Sequence, residues 1–264
     1  MQIELSGMRA IVTGSSAGIG WAIAAGLAEA GAAVVVNGRT SRAVEEAAQR
    51  IRLSVPSAQV RGVAADLSTP AGVSKLIAAA GEADILVNNL GIFEEKRFEN
   101  VTDEDWERFF RTNVMSGIGL ARACLPAMIA RGWGRIVFVS SESAIHVPRE
   151  MIHYGVTKAA QLALSRGLAE LTAGTNVTVN AVLPGPTRTE GVVAGFRQSA
   201  EKMGMSVEEL EKKYMAQRKP TSLLRRLETP GEIANLVVFV CSRQASAING
   251  TALRVDGGVV RTIL

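Results

Sequence analysis

A tyrosine and a lysine, Tyr154 and Lys158, stand four residues apart in a stretch that predicts a helix. Residues at this spacing lie on one face of a helix, so the two side chains are expected to point the same way. A free tyrosine has a pKa of about 10, and a neighbouring ammonium group lowers that pKa by favouring the phenolate. The pair therefore predicts general acid and base catalysis, with Tyr154 carrying the proton.

Ser141 is a second candidate for this chemistry. It follows a predicted buried strand at 135–140 (RIVFVS) and lies thirteen residues before Tyr154. In an open α/β sheet the ligand crevice lies at the carboxyl ends of the strands, so Ser141 is expected to hydrogen-bond a substrate oxygen. Ser140 is the alternative candidate, and an ordinary turn serine is the competing interpretation.

A glycine-rich loop, residues 13–20 (TGSSAGIG), lies between the first predicted strand and the first predicted helix. Glycines let the backbone approach a pyrophosphate, and the start of a helix supplies free N–H groups and positive dipole charge. The spacing is G-x-x-x-G-x-G, and an ordinary strand-to-helix turn is the competing interpretation. Its position after the first strand favours a dinucleotide-binding loop.

Arg39 distinguishes between the two nicotinamide coenzymes. NAD-binding chains usually place an acidic residue at the end of the second strand, where this chain reads NGRT over 37–40. No carboxylate is present there to repel a 2′-phosphate, and Arg39 can pair with one. This pattern favours NADP(H) over NAD(H), although a solvated surface arginine is the competing interpretation.

Strands that alternate with helices must position these groups. Apolar strands covered by helices on both faces predict an α/β fold with a Rossmann-type, doubly wound parallel sheet of about seven strands. One domain is expected over 1–264, with a substrate lid at about 190–228. Strands are predicted at 9–13, 33–36, 60–64, 85–87, 135–140, 177–182 and 251–255, and helices at 19–30, 41–53, 69–80, 102–112, 113–130, 154–172 and 229–241.

Composition excludes several other classes of protein. The net charge is +4, but the basic residues are scattered, which argues against nucleic-acid binding. The spacing of Cys124 and Cys241 offers no metal site and suggests buried thiols. No apolar run approaches the ~18 residues of a membrane span, and the absence of a signal peptide predicts a cytoplasmic protein.

Taken together and in order, these motifs resemble the short-chain dehydrogenase/reductase family, in particular its 3-oxoacyl-carrier-protein reductase-like group. The resemblance covers nearly the whole chain. It also rests on NNLG at 88–91, where the family has NNAG, and on Asn113, where the family has a helix asparagine that holds a water molecule for proton relay. The catalytic residues that it implies are Asn113, Ser141, Tyr154 and Lys158. With Arg39, the predicted cofactor-binding residues form a larger set. The others that the resemblance implies are Gly14, Ser16, Gly18, Ile19, Gly20, Asp66, Leu67, Asn89, Gly91, Tyr154, Lys158, Pro184, Gly185, Thr187 and Thr189.

The resemblance implies an oxidoreductase that transfers a hydride between NADP(H) and a small carbonyl or alcohol substrate, in a homo-tetramer or dimer. A non-catalytic NADP(H)-binding regulator and an NAD-dependent alcohol dehydrogenase are the alternatives. Two residues depart from the family pattern. Leu90 replaces the usual alanine of NNAG, and Ala17 stands where some NADP-preferring members carry a basic residue. Four basic residues near the lid could attract an anionic or carrier-linked substrate, or form a solvated face: Arg218, Lys219, Arg225 and Arg226.

Overall fold

The computed structural model describes residues 2–263, and its centre is a parallel sheet of seven strands. The strand order is β3-β2-β1-β4-β5-β6-β7. The chain adds strands toward one edge from β1 to β3 and toward the other edge from β4 to β7, as in a doubly wound sheet. The predicted fold class is therefore confirmed. The strands are β1 (Arg9–Val12), β2 (Ala33–Gly38), β3 (Val60–Ala64), β4 (Ile85–Asn88), β5 (Gly134–Val139), β6 (Val177–Pro184) and β7 (Ala252–Val255).

Helices cover both faces of the sheet. They are α1 (Gly18–Glu29), α2 (Ser41–Ser54), α3 (Pro70–Ala80), α4 (Asp103–Phe110), α5 (Ser116–Arg131), α6 (Ile152–Glu170), α7 (Glu190–Met203), α8 (Val207–Arg218) and α9 (Pro230–Val240). Strand β1 contributes to both cores. Ala10 and Val12 pack with α1, α2 and α9, whereas Ile11 packs with α3, α5 and α6. Because both faces are buried, the strands are continuously apolar.

Threonine or serine side chains start six of these helices by accepting a backbone N–H from the first turn. These residues are Thr40, Thr69, Thr102, Thr189, Ser206 and Thr229. The predicted capping box of Thr102 and Asp105 is present, and Pro230 occupies the first position of α9 as predicted. Local sequence thus sets where these helices begin.

The predicted boundary between helices at residues 112 and 113 is wrong. The chain stays helical from Asp103 to Arg131, and a π-helical turn at Arg111–Met115 joins α4 to α5. Such turns insert an extra residue and often occur at functional sites. This helical run is long and apolar enough to cross a membrane by length and composition, but half of its most apolar window is buried in the fold. Leu120, Leu125 and Met128 of this run pack in the hydrophobic core on one face of the sheet.

The predicted lid segment forms α7, α8 and an irregular stretch beside the carboxyl ends of the strands. Phe196 and Tyr214 join the two helices edge to face, with ring centroids 5.4 Å apart. A bridge between Thr187 and Glu228 ties the end of the segment to the chain that follows β6. Both ends of the segment thus lie near the same strand edge.

Candidate active site

A cavity of about 500 Å³ opens at the carboxyl ends of β1, β4, β5 and β6. Its wall includes Ser141, Tyr154 and Lys158 on one side and Gly18 and Gly20 of the glycine loop on another. The fold therefore brings together the two groups of residues that sequence reasoning had treated separately. A larger groove, of about 750 Å³, lies between α3 and α5 and contains none of the predicted catalytic residues.

The two serines after β5 have different surroundings. Ser141 lies close enough to Tyr154 to act on the pKa of its hydroxyl, which it lowers, and the Ser141 hydroxyl donates to Oε2 of Glu142 at 2.5 Å. Ser140 is buried, and its hydroxyl donates to the backbone carbonyl of Lys158 at 2.9 Å. Ser141 is thus the serine that reaches the tyrosine, whereas Ser140 joins β5 to α6.

Lys158 lies beside the tyrosine but donates its hydrogen bonds elsewhere. Its Nζ is 5.6 Å from the Tyr154 ring centroid and donates to the Val139 carbonyl at 2.9 Å and to Gln161 Oε1 at 3.3 Å. Burial lowers the pKa of Lys158 to about 7 and raises the pKa of Tyr154 above its usual value. The expected lowering of the Tyr154 pKa by Lys158 is therefore not found: desolvation raises the pKa, Ser141 lowers it by less, and the charge of Glu142 raises it further.

Asn113 lies in the π-helical turn, outside the cavity lining, and both donors of its side-chain amide are used. Its Nδ2 donates to the Ile92 carbonyl and to Thr157 Oγ1, each at 3.0 Å, and its Oδ1 accepts from Ile92 N–H. The backbone carbonyl of Asn113 accepts from Gln161 Nε2 at 2.5 Å. Asn113 thus fixes the loop after β4 to α6.

Sequence reasoning missed Gln161, which contacts both Lys158 and Asn113. It is fully buried and follows Lys158 by three residues, so it lies on the same face of α6. A buried amide on the face of the predicted catalytic pair was the available signal.

The three glycines of the loop, Gly14, Gly18 and Gly20, stand at positions that disfavour a side chain. Gly14 and Gly18 both have a φ of 58°, in the left-handed region that favours glycine. A Cβ atom on Gly20 would lie 2.5 Å from the Gly14 carbonyl oxygen. Asn89 Nδ2 donates to the carbonyls of Thr13 and Gly14 at 2.8 and 3.1 Å and so holds the loop. The tight turn at the start of α1 fits a dinucleotide pyrophosphate.

The end of β2 carries the residues predicted for the adenosine half of a cofactor. Arg39 is exposed, and its charge contributes to the lowered pKa of Asp66, after the larger effect of the hydrogen bonds from Ser68. Ser16 lies against Gly38, next to Arg39. Leu67 is buried in the core, so only its backbone is placed to face a ligand.

The remaining predicted cofactor residues line the cavity. Its wall includes Ile19, Gly91, Pro184, Gly185, Thr187 and Thr189. A Cβ on Gly91 would lie 3.2 Å from Lys158 Nζ, and one on Gly185 would lie 2.7 Å from the Glu228 carboxylate. Glycine at these two positions lets the backbone pass close to Lys158 and to Glu228.

Three of the four basic residues near the lid are neutralised by carboxylates. Lys219 pairs with Glu142 at 2.5 Å, Arg218 with Glu150 at 2.8 Å, and Arg226 with Glu232 at 2.7 Å. The expected attraction for an anionic or carrier-linked substrate therefore has little free charge at these three residues. Sequence reasoning missed the Glu142–Lys219 pair because its members are 77 positions apart.

Within residues 2–263, no group of three or more His, Cys, Asp or Glu side chains is arranged to hold a metal ion. Cys124 and Cys241 are free and buried, as predicted, and burial raises the thiol pKa of Cys124 to about 11. The polar side chains that line the cavity include the hydroxyls of Ser141 and Tyr154, the lysines Lys158 and Lys219, and the carboxylate of Glu142.

Comparison with known proteins agrees with this geometry. The family described as enoyl-(acyl carrier protein) reductase matches residues 14–260. The uncharacterised oxidoreductase YvaG of Bacillus subtilis is 47% identical over all of both chains, and the 3-oxoacyl-[acyl-carrier-protein] reductase FabG of Aquifex aeolicus is 34% identical over 98% of this chain and 100% of that protein. The crystal structure of L-sorbose reductase from Gluconobacter frateurii, complexed with NADPH and L-sorbose, is 34% identical over all of both chains and superposes with a TM-score of 0.92.

Proposed function

Because this chain belongs to the short-chain dehydrogenase/reductase family of oxidoreductases, we propose that it reduces a small carbonyl substrate with NADPH, and oxidises the alcohol in reverse. The observation that carries the proposal is the contact of Ser141 with Tyr154 in a cavity that also contains Lys158 and the glycine loop. Bound NADPH would supply the hydride for the carbonyl carbon.

The residues of this chain hold and move the proton. Tyr154 donates its hydroxyl proton to the carbonyl oxygen of the substrate and takes one back in the reverse direction. Because its pKa lies above neutral pH, that hydroxyl is protonated there and has a proton to donate. Ser141 holds the tyrosine and the substrate oxygen, and Lys158, next to Gly91, holds the nicotinamide ribose. Asn113 positions α6 through Thr157.

Arg39 supports the preference for NADPH. It is exposed at the end of β2, and no ion pair joins it to a carboxylate within residues 2–263. Ala17 contributes no positive charge to the loop, so the 2′-phosphate is assigned to Arg39 alone. The NADPH in the L-sorbose reductase structure is consistent with this assignment.

The wider assignment follows the same reasoning. We propose one domain over residues 1–264 with a lid at about 190–228, a cytoplasmic location, and a homo-tetramer or dimer. A small molecule is the proposed substrate, and neither nucleic acid nor a membrane is a proposed partner.

Titration of the purified protein with NADPH and with NADH, followed by cofactor fluorescence, tests the proposal. Arg39→Ala is expected to weaken NADPH binding by about tenfold to a hundredfold, since a hydrogen bond to a charged group contributes about 1.5–3 kcal/mol. Arg42→Ala is the matched control, because Arg42 is exposed nearby and pairs with Glu46. Tyr154→Phe should bind NADPH and reduce no ketone. Preference for NADH would overturn the coenzyme assignment, and binding of neither would favour a non-enzymatic role.

A further inference from the structure

A buried ion pair forms part of the cavity wall next to the proposed catalytic serine. Glu142 follows Ser141 in the chain, and Lys219 follows the last residue of α8 in the lid segment. Their side chains are only 5% and 12% exposed, and both line the cavity. Because Ser141 contacts both Tyr154 and Glu142, a single serine side chain separates the pair from the proposed proton donor.

Such a pair is an unusual choice for stability alone. Removing two charges from water is costly, and apolar residues of similar size often stabilise a fold as well or better. The pair also forms part of the cavity wall. Its position at the reacting end of the cavity favours a role in recognising a ligand.

The hydrogen-bonding capacity of the pair is only partly used. Oε2 of Glu142 accepts from the Ser141 hydroxyl and from both the N–H and the hydroxyl of Ser143, whereas Oε1 accepts from Lys219. A lysine ammonium group has three N–H donors, and Glu142 is the partner of one within the described part of the chain. Oε1 also retains a lone pair. A donor and an acceptor therefore lie side by side on two residues that line the cavity.

One ligand group matches both members of the pair. A hydroxyl donates and accepts, so it can take an N–H of Lys219 and give its proton to Glu142. A carboxylate would satisfy Lys219 but would be repelled by Glu142. An alkyl group would leave both buried polar groups without a ligand partner, and sites built in this way reject analogues that lack the hydroxyl.

Charges at the edge of the cavity point the same way. Glu94 and Glu95 line the cavity, and their cationic partners are Arg108 at 2.6 Å and Arg218 at 3.5 Å. Arg218 also pairs with Glu150. The cations on this side are thus engaged by carboxylates, which disfavours an anionic substrate and leaves neutral, hydroxylated molecules as the better match.

We propose that Glu142 and Lys219 determine substrate specificity by binding a hydroxyl group on the carbon next to the reacting carbonyl, so that the substrates are neutral α-hydroxyketones. This inference rests on the proposed reductase function. In the reaction the carbonyl π bond breaks, a C–H bond forms with the hydride of NADPH, and an O–H bond forms with the proton of Tyr154. A vicinal diol and NADP⁺ are the products, and solvent returns the proton to Tyr154.

Three probes of similar size test the proposal with NADPH: hydroxyacetone, butanone and pyruvate. They place a hydroxymethyl, an ethyl and a carboxylate group on the same acetyl unit. We expect kcat/KM for hydroxyacetone to exceed that for butanone by about a hundredfold or more, and pyruvate to be the poorest substrate. Lys219→Met should reduce the ratio of hydroxyacetone to butanone at least tenfold. Lys213→Met is the matched control, because Lys213 is an exposed lysine on α8, and it should leave the ratio unchanged.

Lys219→Met leaves Glu142 buried without its partner, so the double variant Glu142→Gln, Lys219→Met provides a second measurement with a neutral pair. It should show the same loss of discrimination. Equal turnover of hydroxyacetone and butanone by the wild type, preference for pyruvate, or an unchanged ratio in both variants would overturn the inference. Binding of NADPH without turnover of any probe would also overturn it. Failure to bind NADPH would instead count against the proposed function.

Discussion

Oε2 of Glu190 accepts a hydrogen bond from the backbone N–H of Gly18, with 2.9 Å between nitrogen and oxygen. Gly18 begins α1, and the preceding residue, Ala17, has no side-chain oxygen to cap that helix. A carboxylate at a helix start is stabilised by the positive end of the helix dipole. The same N–H groups are those that a dinucleotide pyrophosphate would use. Glu190, the first residue of the lid, therefore occupies part of the proposed phosphate site.

Glu190→Gln is expected to tighten NADPH binding roughly twofold to tenfold, because it removes a negative charge from this helix start. Fluorescence titration at low and at physiological salt would measure the change, which should shrink as salt screens the charge. Glu201→Gln, an exposed change on the same helix, is the control. Weaker binding in Glu190→Gln would mean that this side chain supports the bound cofactor and does not compete with it.

The two serines after β5 predict different effects on catalysis. Ser141→Ala should reduce kcat by about a hundredfold or more, since a lost donor to a developing oxyanion costs that much, and it also removes a buried hydrogen bond to Glu142. Ser140→Ala removes a buried hydrogen bond to the Lys158 carbonyl and should lower the free energy of unfolding by about 1–2 kcal/mol. Steady-state kinetics and urea denaturation of both variants separate the two effects. A larger loss of kcat in Ser140→Ala would reverse the assignment.

The strands and most helix starts could be predicted because their signals are local. The predicted strand at 60–64 has the observed bounds, and the other strands differ by one or two residues at an end. The rule that ligands bind at the carboxyl ends of parallel strands also predicted that Ser141 faces a ligand crevice, and Ser141 lines the cavity. The unbroken helix at 103–131 was missed, because no Gly or Pro marks the π-helical turn.

Contacts between distant segments could not be predicted from local pattern. Gly18 and Glu190 are 172 positions apart, and each alone has an ordinary interpretation as a loop glycine or a solvated carboxylate. The raised pKa of Tyr154 was missed for the same reason, since it depends on burial by the surrounding segments. Chemical type and helical spacing predict which residues share a face, but the desolvation of a group depends on the completed fold.

The buried carboxyl group of Glu228 is expected to make the fold less stable as the pH rises from about 4.3 to about 8. It is buried, and neither carboxylate oxygen has a hydrogen-bond partner within residues 2–263. Burial, together with the charges of Glu142 and Asp256, raises its pKa to about 8. The folded chain therefore keeps a proton that the unfolded chain loses above about pH 4.3. Its contribution to stability is fully present below that pH and is lost as the pH rises through about 8.

Glu228→Gln should flatten this dependence. Between pH 5 and pH 8 the wild type is expected to lose about 3–4 kcal/mol through Glu228, because the slope is about 1.4 kcal/mol for each pH unit and flattens as the pH approaches the folded pKa. Urea denaturation at both pH values measures the difference between them, which is independent of any constant cost of burying the amide. Glu208→Gln, an exposed change, should keep the wild-type slope. An equal slope in Glu228→Gln and wild type would show that the carboxyl group does not titrate in this way.

His153 is expected to change stability with pH in the opposite direction to Glu228. Its side chain is completely buried, edge to face against Phe109 and Trp106 with ring centroids 4.3 and 6.3 Å apart, and neither ring nitrogen has a partner within residues 2–263. Burial lowers its pKa, although the charges of Glu94 and Asp105 act in the other direction. The folded chain thus holds the imidazole neutral. The unfolded chain binds a proton below about pH 6.5, so stability falls as the pH decreases from there.

His153→Phe is therefore expected to remove part of the acid sensitivity while keeping the aromatic contacts with α4. The free energy of unfolding should fall less between pH 7 and pH 5 in the variant than in the wild type, and urea denaturation at the two pH values measures it. The chain has two histidines, and His146 is exposed, so His146→Gln is a matched control that should retain the wild-type dependence. If His153→Phe and His146→Gln lost stability equally on acidification, the buried imidazole would not be the group responsible, because only His153 has to be charged at the expense of burial.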